Sequence, residues 1–474
     1  MIVGQQPRPL TPHISALHFF GAEVRHWRRL RGLSGRGLGQ AVAYSHSLLS
    51  QIETATRWPT PELAKALDEH LETGGVLQRL IPAVAQLREQ SARLAAASSP
   101  EPGEVGLSWA GDTAAAIGTL RQLCGADLSE QPVVDAAWLP QALAEPLGRW
   151  MVTHKDPHLP VNTGSRRVGR ADLDALWAMS AAFADADHRL GGGHARSTLL
   201  SYLDHVLAPM LKGQYTDVIG RELFAAAARL SDLAGFMCFD SGRQGLGQRY
   251  FVQALRLAKI SGAVGLGAHI LTDMAMQAHW LSHATEAIAL AEAACHTVRR
   301  AGSPSSVARC HAVRARALAL ANDRTASDRA LHHAEQALEK ACHDSEPEWI
   351  QFFNATQLAT ESMYASDNLG RRKRVQATAA ITAIADQTMQ RRHVLAVTTL
   401  AAPHLPSPAT DTAKSDVDQA CQLLAMIIPM VPSMTSARGL DGINNIRRRL
   451  TVFRDRPTVH EVEAALLNAM VPTP

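Results

Sequence analysis

Several residue types and motifs that mark common protein classes are missing from this sequence. The six cysteines never form a CxxC pair, so neither a zinc site nor a redox motif is predicted, and free thiols in a reducing compartment are expected. No lysine follows a glycine, which excludes a P-loop, and neither a GxSxG elbow nor an HExxH pair is present. We therefore expect no enzyme, no cofactor and no metal.

Long apolar runs are also missing. The longest one, Leu423 to Val431, is interrupted by Pro429 and reaches about half of the roughly 20 residues that a membrane helix needs. Residues 1–11 lack the basic-then-apolar pattern of a secretion signal. We expect a cytoplasmic protein without membrane contact.

The composition favours helices packed closely together. Aromatic residues make up 5% of the chain, charged residues 19% and hydrophobic residues 46%, which is the balance of a globular protein with long alanine runs. The net charge of +3 is mild, so a signal for nucleic-acid binding must be local. A length of 474 residues allows either two to four domains or one small domain followed by a repeat array.

One stretch, residues 19–71, has apolar residues at helical spacing in several short segments. These segments are too short to be stable alone, so they must share one core in a bundle of four or five helices. Ser45 is placed to cap a helix after the turn at Ala43 and Tyr44, and Thr60 and Pro61 begin another. The predicted core residues are Phe20, Val24, Trp27, Leu38, Val42, Leu49, Ile52, Leu63, Leu67 and Leu71.

The helix that begins after Ser45 has two different faces. Leu49 and Ile52 point to the core, and small polar side chains share the opposite face, as suits a helix in a DNA major groove. Six arginines against two glutamates in residues 19–58 agree with phosphate contacts. The alternative is an ordinary small bundle with a solvated basic face. The predicted base-reading residues are His46, Ser47, Ser50 and Gln51; the predicted phosphate contacts are Arg25, Arg28, Arg29, Arg36 and Arg57.

A family resemblance rests on this stretch. Leu33 to Glu53 reads L-S-x-x-x-L-x-x-x-V-x-Y-S-x-S-x-L-S-x-I-E and is followed by R-W-P-T-P-E-L. The pattern resembles the Cro/C1-type (Xre family) helix-turn-helix, and more narrowly its actinobacterial branch with YSxSxxSxIE. The resemblance implies DNA binding through the helix after Ser45. The chain departs from the family at Gly35, Gly39 and Ala43, where Gln, Ala and Gly are usual. Because helix 2 contains three glycines, Gly35, Gly37 and Gly39, it is expected to be soft, or firm only on DNA.

The rest of the chain is predicted to be helical. Three similar alanine-rich segments lie around Ala254, Ala287 and Ala330, each after an amphipathic helix, and weaker copies follow at residues 352–385 and 394–428. This pattern indicates an α-solenoid of degenerate tetratricopeptide-like repeats, with a non-repetitive helical domain as the alternative. The predicted domains are a helix-turn-helix domain (1–97), a linker (98–109), an intermediate helical domain (110–235) and the repeats (236–474).

A glycine-rich element, Asp187-His-Arg-Leu-Gly-Gly-Gly-His-Ala-Arg196, precedes the repeats. With the later GF, DSG and QRYF segments at residues 235–251, it resembles actinobacterial helix-turn-helix/repeat regulators over nearly the whole chain. His194 and Arg196 could hold an anion beside the glycines. The alternative is a helix C-cap and sharp turn, with Arg196 in a salt bridge to Asp187.

The pattern as a whole predicts a DNA-binding transcriptional regulator, with repression as its expected effect. A homodimer on a near-palindromic site is expected, because one such helix reads only a few base pairs. The helical body would supply dimer contacts, a groove for a peptide or small-molecule effector, or both. Two alternatives are a protein-docking scaffold with weak DNA binding and a receptor or enzyme-like site on Asp187, His194 and Arg196. The predicted groove residues are Gln277, Arg314, Asn354 and Glu361.

Overall fold

The structure is a computed structural model in which the chain forms two compact units, residues 1–101 and 102–474. Within the described residues every regular element is a helix, apart from an isolated β-bridge between Arg167 and Gln214, which confirms the all-α fold class. For residues 88–97 only the backbone is described. The described residues are 15–55, 57–97, 105–131, 136–153, 159, 164–299, 302–371, 373, 375, 390–405 and 416–470.

The N-terminal unit contains five described helices. Each of the first four begins after a hydroxyl side chain that accepts a hydrogen bond from the N–H three residues ahead, which satisfies a donor at the helix start. The predicted caps at Ser45 and Thr60 and the start at Pro61 are confirmed. The helices are α1 (Ala16–Leu30), α2 (Gly35–Ala41), α3 (His46–Glu53), α4 (Pro61–Leu71) and α5 (Val76–Ala97).

One hydrophobic core joins these five helices. Trp27 is half-buried, and the other nine predicted core residues are buried, together with Leu77 and Val84 of α5. Full burial of such a side chain contributes about 1.5–3 kcal/mol, so this shared core stabilises helices too short to persist alone.

The second unit is a longer chain of helices. Helix α9 continues through a π-turn, Leu203–Leu207, into α10, and short 3₁₀ turns connect several later helices. The helices are α6 (Thr113–Leu128), α7 (Ala144–Val152), α8 (Arg170–Leu190), α9 (Gly192–Tyr202), α10 (Ala208–Leu211), α11 (Asp217–Asp240), α12 (Gln244–Ser261), α13 (Val264–Trp280), α14 (Ala284–Val298), α15 (Pro304–Leu320), α16 (Arg324–Leu338), α17 (Ala355–Asn368), α18 (Gln390–Ala401), α19 (Val417–Ile427), α20 (Ala437–Leu450) and α21 (Pro457–Met470).

Three helical hairpins, α11–α12, α13–α14 and α15–α16, form the middle of this unit. Each turns through the same three-residue connection, whose central residue has a positive φ: 82° at Gly242, 64° at Ser282 and 60° at Asn322. These turns recur every 40 residues. Ala254, Ala287 and Ala330 are all buried in the second helix of a hairpin, so the helix pairs predicted around them are confirmed.

The structure corrects three details of the predicted organisation. The period of 40 residues differs from the spacings of 33 and 43 between the alanine-rich segments. The reason is that the three segments begin at different distances from the first residue of their helices. The predicted boundary at residue 235 lies inside α11, which continues to Asp240. Part of the predicted linker is bound to the second unit, since Gln253 of α12 donates to the carbonyl oxygens of Gly106 and Ser108. Of the predicted helix at 375–385, only Val375 is described.

Two further expectations can be compared with the described residues. None of their helices is both long and apolar enough to cross a membrane. The six cysteines are all free thiols, and only Cys342 is exposed.

Candidate nucleic-acid interface and a charged cavity

Helix α3 is fixed on one face and polar on the other. The Ser45 hydroxyl accepts the Leu48 N–H at 3.1 Å, and Leu49 and Ile52 anchor the helix in the core. On the opposite side, the structure places all four predicted base-reading residues on the surface: His46, Ser47, Ser50 and Gln51. The geometry suits insertion into a major groove, and contact with bases stays a prediction.

The turn between α2 and α3 brings two backbone segments into close contact. The Tyr44 N–H donates to the Gly39 carbonyl at 2.9 Å, and a Cβ added to Gly39 would lie 2.8 Å from the Tyr44 carbonyl oxygen. Ala43 has a φ of 57°, in the left-handed region that favours glycine. Gly39 is therefore required by the close approach of two backbones, whereas Ala43 adds strain.

Two of the predicted phosphate-binding arginines have a role inside the domain. Arg28 forms a bidentate pair with the Glu53 carboxylate, with N–O distances of 2.5 and 2.9 Å, and donates to the Leu33 carbonyl at 2.9 Å. Arg25 donates to the Glu53 backbone oxygen at 2.6 Å. The hydrogen bond to Glu53 raises the pKa of Arg28, whereas burial lowers that of Arg25. We name these three side chains the Glu53 clamp, which ties α1 to the end of α3.

The other three predicted phosphate contacts, Arg29, Arg36 and Arg57, are exposed. Arg57 lies beside the base-reading face, with its Nη1 3.3 Å from the Gln51 side-chain oxygen. Their exposure leaves these side chains available for phosphate contacts, which stay predictions.

The glycine-rich element does not bring its three predicted site residues together. Asp187 is buried and pairs with Arg391 at 2.7 Å, Arg196 pairs with Asp127, and His194 is exposed. The expected salt bridge between Arg196 and Asp187 is therefore wrong, because the turn at Gly191 directs the two side chains to different partners. The geometry agrees with a helix C-cap at Gly191, where φ is 90°.

The four predicted groove residues are also dispersed. Gln277 is buried and bonded to Trp138 and Gln244, Arg314 pairs with Glu292 at 3.3 Å, and Asn354 caps the start of α17. Only Glu361 lines the cavity described next. A polar residue on the first helix of a repeat was too weak a signal for a groove residue, because several of these polar side chains form hydrogen bonds or ion pairs between helices instead.

A charged cavity lies in the second unit, and of the predicted site residues only Asp187 and Glu361 line it. Its space, including the part open to solvent, is about 890 Å³. Side chains from α8, α11, α13, α15, α17, α18 and α20 line it, so positions that face it recur on the first helices of successive hairpins. Six of the lining residues are arginines: Arg229, Arg309, Arg316, Arg391, Arg392 and Arg438.

Buried ion pairs hold most of these arginines in place. Arg391 bridges Asp187 and Asp240, at 2.7 and 3.6 Å, and Arg438 forms a second pair with Asp240 at 2.6 Å. Burial opposes ionisation of Asp240, but the two arginines lower its pKa below the usual value. Burial raises the pKa of Asp187, whose Oδ1 has no hydrogen-bond partner among the described residues.

One cluster beside the cavity has the residue types of a metal site. Possible ligand atoms of Asp232, His269 and Asp273 lie within 4.8 Å of one another. Arg229 already pairs with Asp232 at 2.7 Å, and Arg309 pairs with Asp273 at 2.5 Å. These guanidiniums supply the positive charge that a cation would bring. The cluster therefore fits a buried ion-pair network better than a metal centre.

Comparison with known proteins agrees with the geometry of the N-terminal unit. Neither the curated proteins nor the solved structures contain a match to this chain. Residues 20–80, which include α2, α3 and α4 in full, match the family model described as a helix-turn-helix domain. The N-terminal unit is thus a helix-turn-helix domain, which supports a DNA-binding regulator.

Proposed function

We propose that this protein is a sequence-specific transcriptional regulator that reads operator DNA with α3. The observation that carries the proposal is the exposed polar face of α3, held by Leu49 and Ile52 in a domain that matches the helix-turn-helix model. Ser47 and Gln51 lie one turn apart on this face, and both carry hydrogen-bonding groups that can read base edges.

Phosphate contacts come from the exposed arginines in this proposal. Arg29, Arg36 and Arg57 keep their charge at the surface, whereas Arg25 and Arg28 are held in the Glu53 clamp. Each phosphate that is neutralised releases counterions and changes the slope of log K against log salt by about 0.9. The clamp contributes indirectly, because it fixes α3 against α1.

The finer features of the proposal follow the sequence resemblance. The regulator is a cytoplasmic, Cro/C1-type protein of the actinobacterial branch, acts as a repressor, and has no catalytic step. It binds as a homodimer, because one helix reads too few base pairs to find an operator in a genome. The hairpins act as tetratricopeptide-like repeats that supply dimer contacts, bind an effector, or do both.

A genome-wide pull-down of DNA with the purified full chain, at about 150 mM salt, tests the proposal. We expect one shared motif, inverted about a dyad. Ser47→Ala and Gln51→Ala should each weaken binding to that motif by about 1–3 kcal/mol while leaving binding to random duplexes unchanged. Gln78→Ala, at an exposed position on α5, is the matched control and should change neither.

Two outcomes would contradict this function. Binding spread over the genome without a motif would reduce the basic face to an electrostatic patch. A shared motif that survives both substitutions would move base reading away from α3. Binding without a motif would favour the alternative function, in which the helical body is a scaffold that docks other proteins.

A further inference from the structure

The charged cavity combines apolar and charged walls around one open space of about 890 Å³, with the part open to solvent included. Ligand sites in proteins are typically clefts of this kind, lined mainly by apolar side chains with a few polar or charged groups that fix the orientation of the ligand. Leu233, Phe236, Met276, Phe352 and Leu395 form apolar surface between the arginines. The cavity therefore offers an apolar compartment with charged groups at defined positions.

The lining of the cavity carries more basic than acidic side chains among the described residues. Six guanidiniums line it, whereas three carboxylates line it and two more, Asp232 and Asp240, pair with its arginines from behind. Desolvation and neighbouring arginines lower the pKa values of His188 and His269 well below the usual range, so both rings are neutral near pH 7. Among the described residues of the lining, guanidiniums thus outnumber carboxylates by six to three, and protonation of Asp187 would widen this difference. An anion is the ligand that such a site attracts.

The guanidiniums are also held in fixed orientations. Arg316 lies over the Tyr364 ring at 4.1 Å, and Arg309 lies over Phe352 at 5.4 Å. Carboxylates pair with the same two guanidiniums, Glu361 with Arg316 at 3.3 Å and Asp273 with Arg309 at 2.5 Å. A guanidinium has five N–H donors, so an arginine that pairs with a protein carboxylate can still donate to a ligand. Little reorganisation is needed when an anion enters.

We propose that the charged cavity binds a small organic monoanion, a carboxylate joined to an aromatic or branched apolar body. The carboxylate lies among the guanidiniums of α15, α18 and α20, and the apolar body packs against Phe236, Phe352 and Leu395. An effector role for such a ligand rests on the regulator function proposed above. Binding of the ligand does not depend on that function. A free small acid and the C-terminal carboxylate of an apolar peptide share this chemistry.

Binding of 2-naphthoate to the full chain, measured by calorimetry against neutral 2-naphthamide, tests the proposal without DNA. We expect one naphthoate per chain and at least tenfold weaker binding of the amide. Arg392→Gln, at the half-buried rim, should weaken naphthoate binding about tenfold and leave the amide unchanged. Arg448→Gln removes the same charge from an exposed position outside the cavity and should change nothing.

A second variant tests the location independently of charge. Leu395→Trp, on the lining of the cavity, should abolish naphthoate binding while circular dichroism shows the helices intact. Competition with tri-leucine, as the free acid or as the amide, distinguishes a peptide C-terminus from a free small acid as the natural ligand. Displacement by the acid alone points to a peptide terminus, and no displacement by either points to a small acid.

Equal binding of naphthoate and naphthamide would overturn the proposal, as would undiminished binding by folded Leu395→Trp. A chain that recognises its operator but fails these titrations would refute this inference alone. A chain that binds naphthoate at this site without any operator would refute only the regulator function.

Discussion

The Glu53 clamp predicts that two adjacent arginines of α1 have different roles. Arg28 is directed into the domain and pairs with Glu53, whereas Arg29 is exposed. The same substitution at each position, Arg28→Gln and Arg29→Gln, removes one positive charge and keeps a polar side chain. The first should destabilise the domain, and the second should weaken phosphate binding.

The magnitude follows from the contacts of Arg28. It loses two charge-assisted hydrogen bonds to Glu53 and one bond to the Leu33 carbonyl, and the side chains of Arg28 and Glu53 are only 16% and 11% exposed. Breaking a fully buried pair costs 3–5 kcal/mol, so this nearly buried pair should cost about 2–3 kcal/mol. Arg29→Gln should stay within about 0.5 kcal/mol, as is usual for an exposed position.

Hydrogen exchange on the full chain measures the first effect, and salt titration measures the second. Amides of α1 and α3 in Arg28→Gln should exchange roughly 30- to 150-fold faster, since each 1.4 kcal/mol is a factor of ten. For binding to a random 20-base-pair duplex, Arg29→Gln should reduce the slope of log K against log salt by about 0.9. Arg28→Gln, measured where it remains folded, should keep the wild-type slope.

Opposite results would refute this reasoning. If Arg28→Gln lowers the salt slope by about one and leaves exchange unchanged, Arg28 holds a phosphate and the clamp contributes little. If Arg29→Gln leaves the slope unchanged, the exposed arginines of α1 lie away from the DNA. Glu62→Gln, which changes an exposed carboxylate in α4, controls for the effect of net charge.

Three further predictions concern stability, measured by urea unfolding or local hydrogen exchange. Gly39→Ala should cost about 1–3 kcal/mol, because its Cβ meets a backbone oxygen at 2.8 Å, whereas Gly37→Ala, whose Cβ meets only a capping hydroxyl at 3.2 Å, should gain about 0.5 kcal/mol. Asp68→Asn should cost about 1–2 kcal/mol, because Asp68 accepts two backbone N–H bonds at the start of α5. Burial lowers the pKa of His279 well below 6.5, so only the unfolded chain gains this proton as the pH falls. Stability should therefore drop between pH 7.5 and pH 5, and His279→Gln should remove about 2 kcal/mol of that drop; equal drops in both proteins would contradict this.

The helix-turn-helix domain could be predicted from sequence because its determinants are local. Apolar spacing, hydroxyl caps and a Pro at the start of a helix act within one or two turns, and the core residues and the exposed face of α3 agree with them. What the sequence could not show was the Glu53 clamp. Six arginines look alike as a basic cluster, and only the packing of α1 on α3 separates those that face inward from those that face solvent.

The charged cavity could not be predicted for a related reason. Asp187 and Arg391 are 204 positions apart, and Asp240 and Arg438 are 198 apart. Nothing local marks such pairs, since their arginines read as solvated residues of amphipathic helices. The groove prediction selected polar residues on the right helices, but the face that lines the cavity depends on how successive hairpins rotate.

The contacts of Asp240 explain why glycines are needed in the glycine-rich element. Gly191 has a φ of 90°, and the Gly192 N–H donates to the Asp240 carboxylate at 2.9 Å; a Cβ on Gly192 would lie 2.4 Å from a backbone oxygen of α11. The same carboxylate accepts from Ser436 at 2.9 Å and pairs with Arg438. One aspartate thus joins α9, α11 and the start of α20, and only glycine lets α9 approach closely enough. The motif, for which the sequence left open either an anion site or a helix C-cap with a sharp turn, is therefore a structural junction, and it helps to position the arginines of the charged cavity.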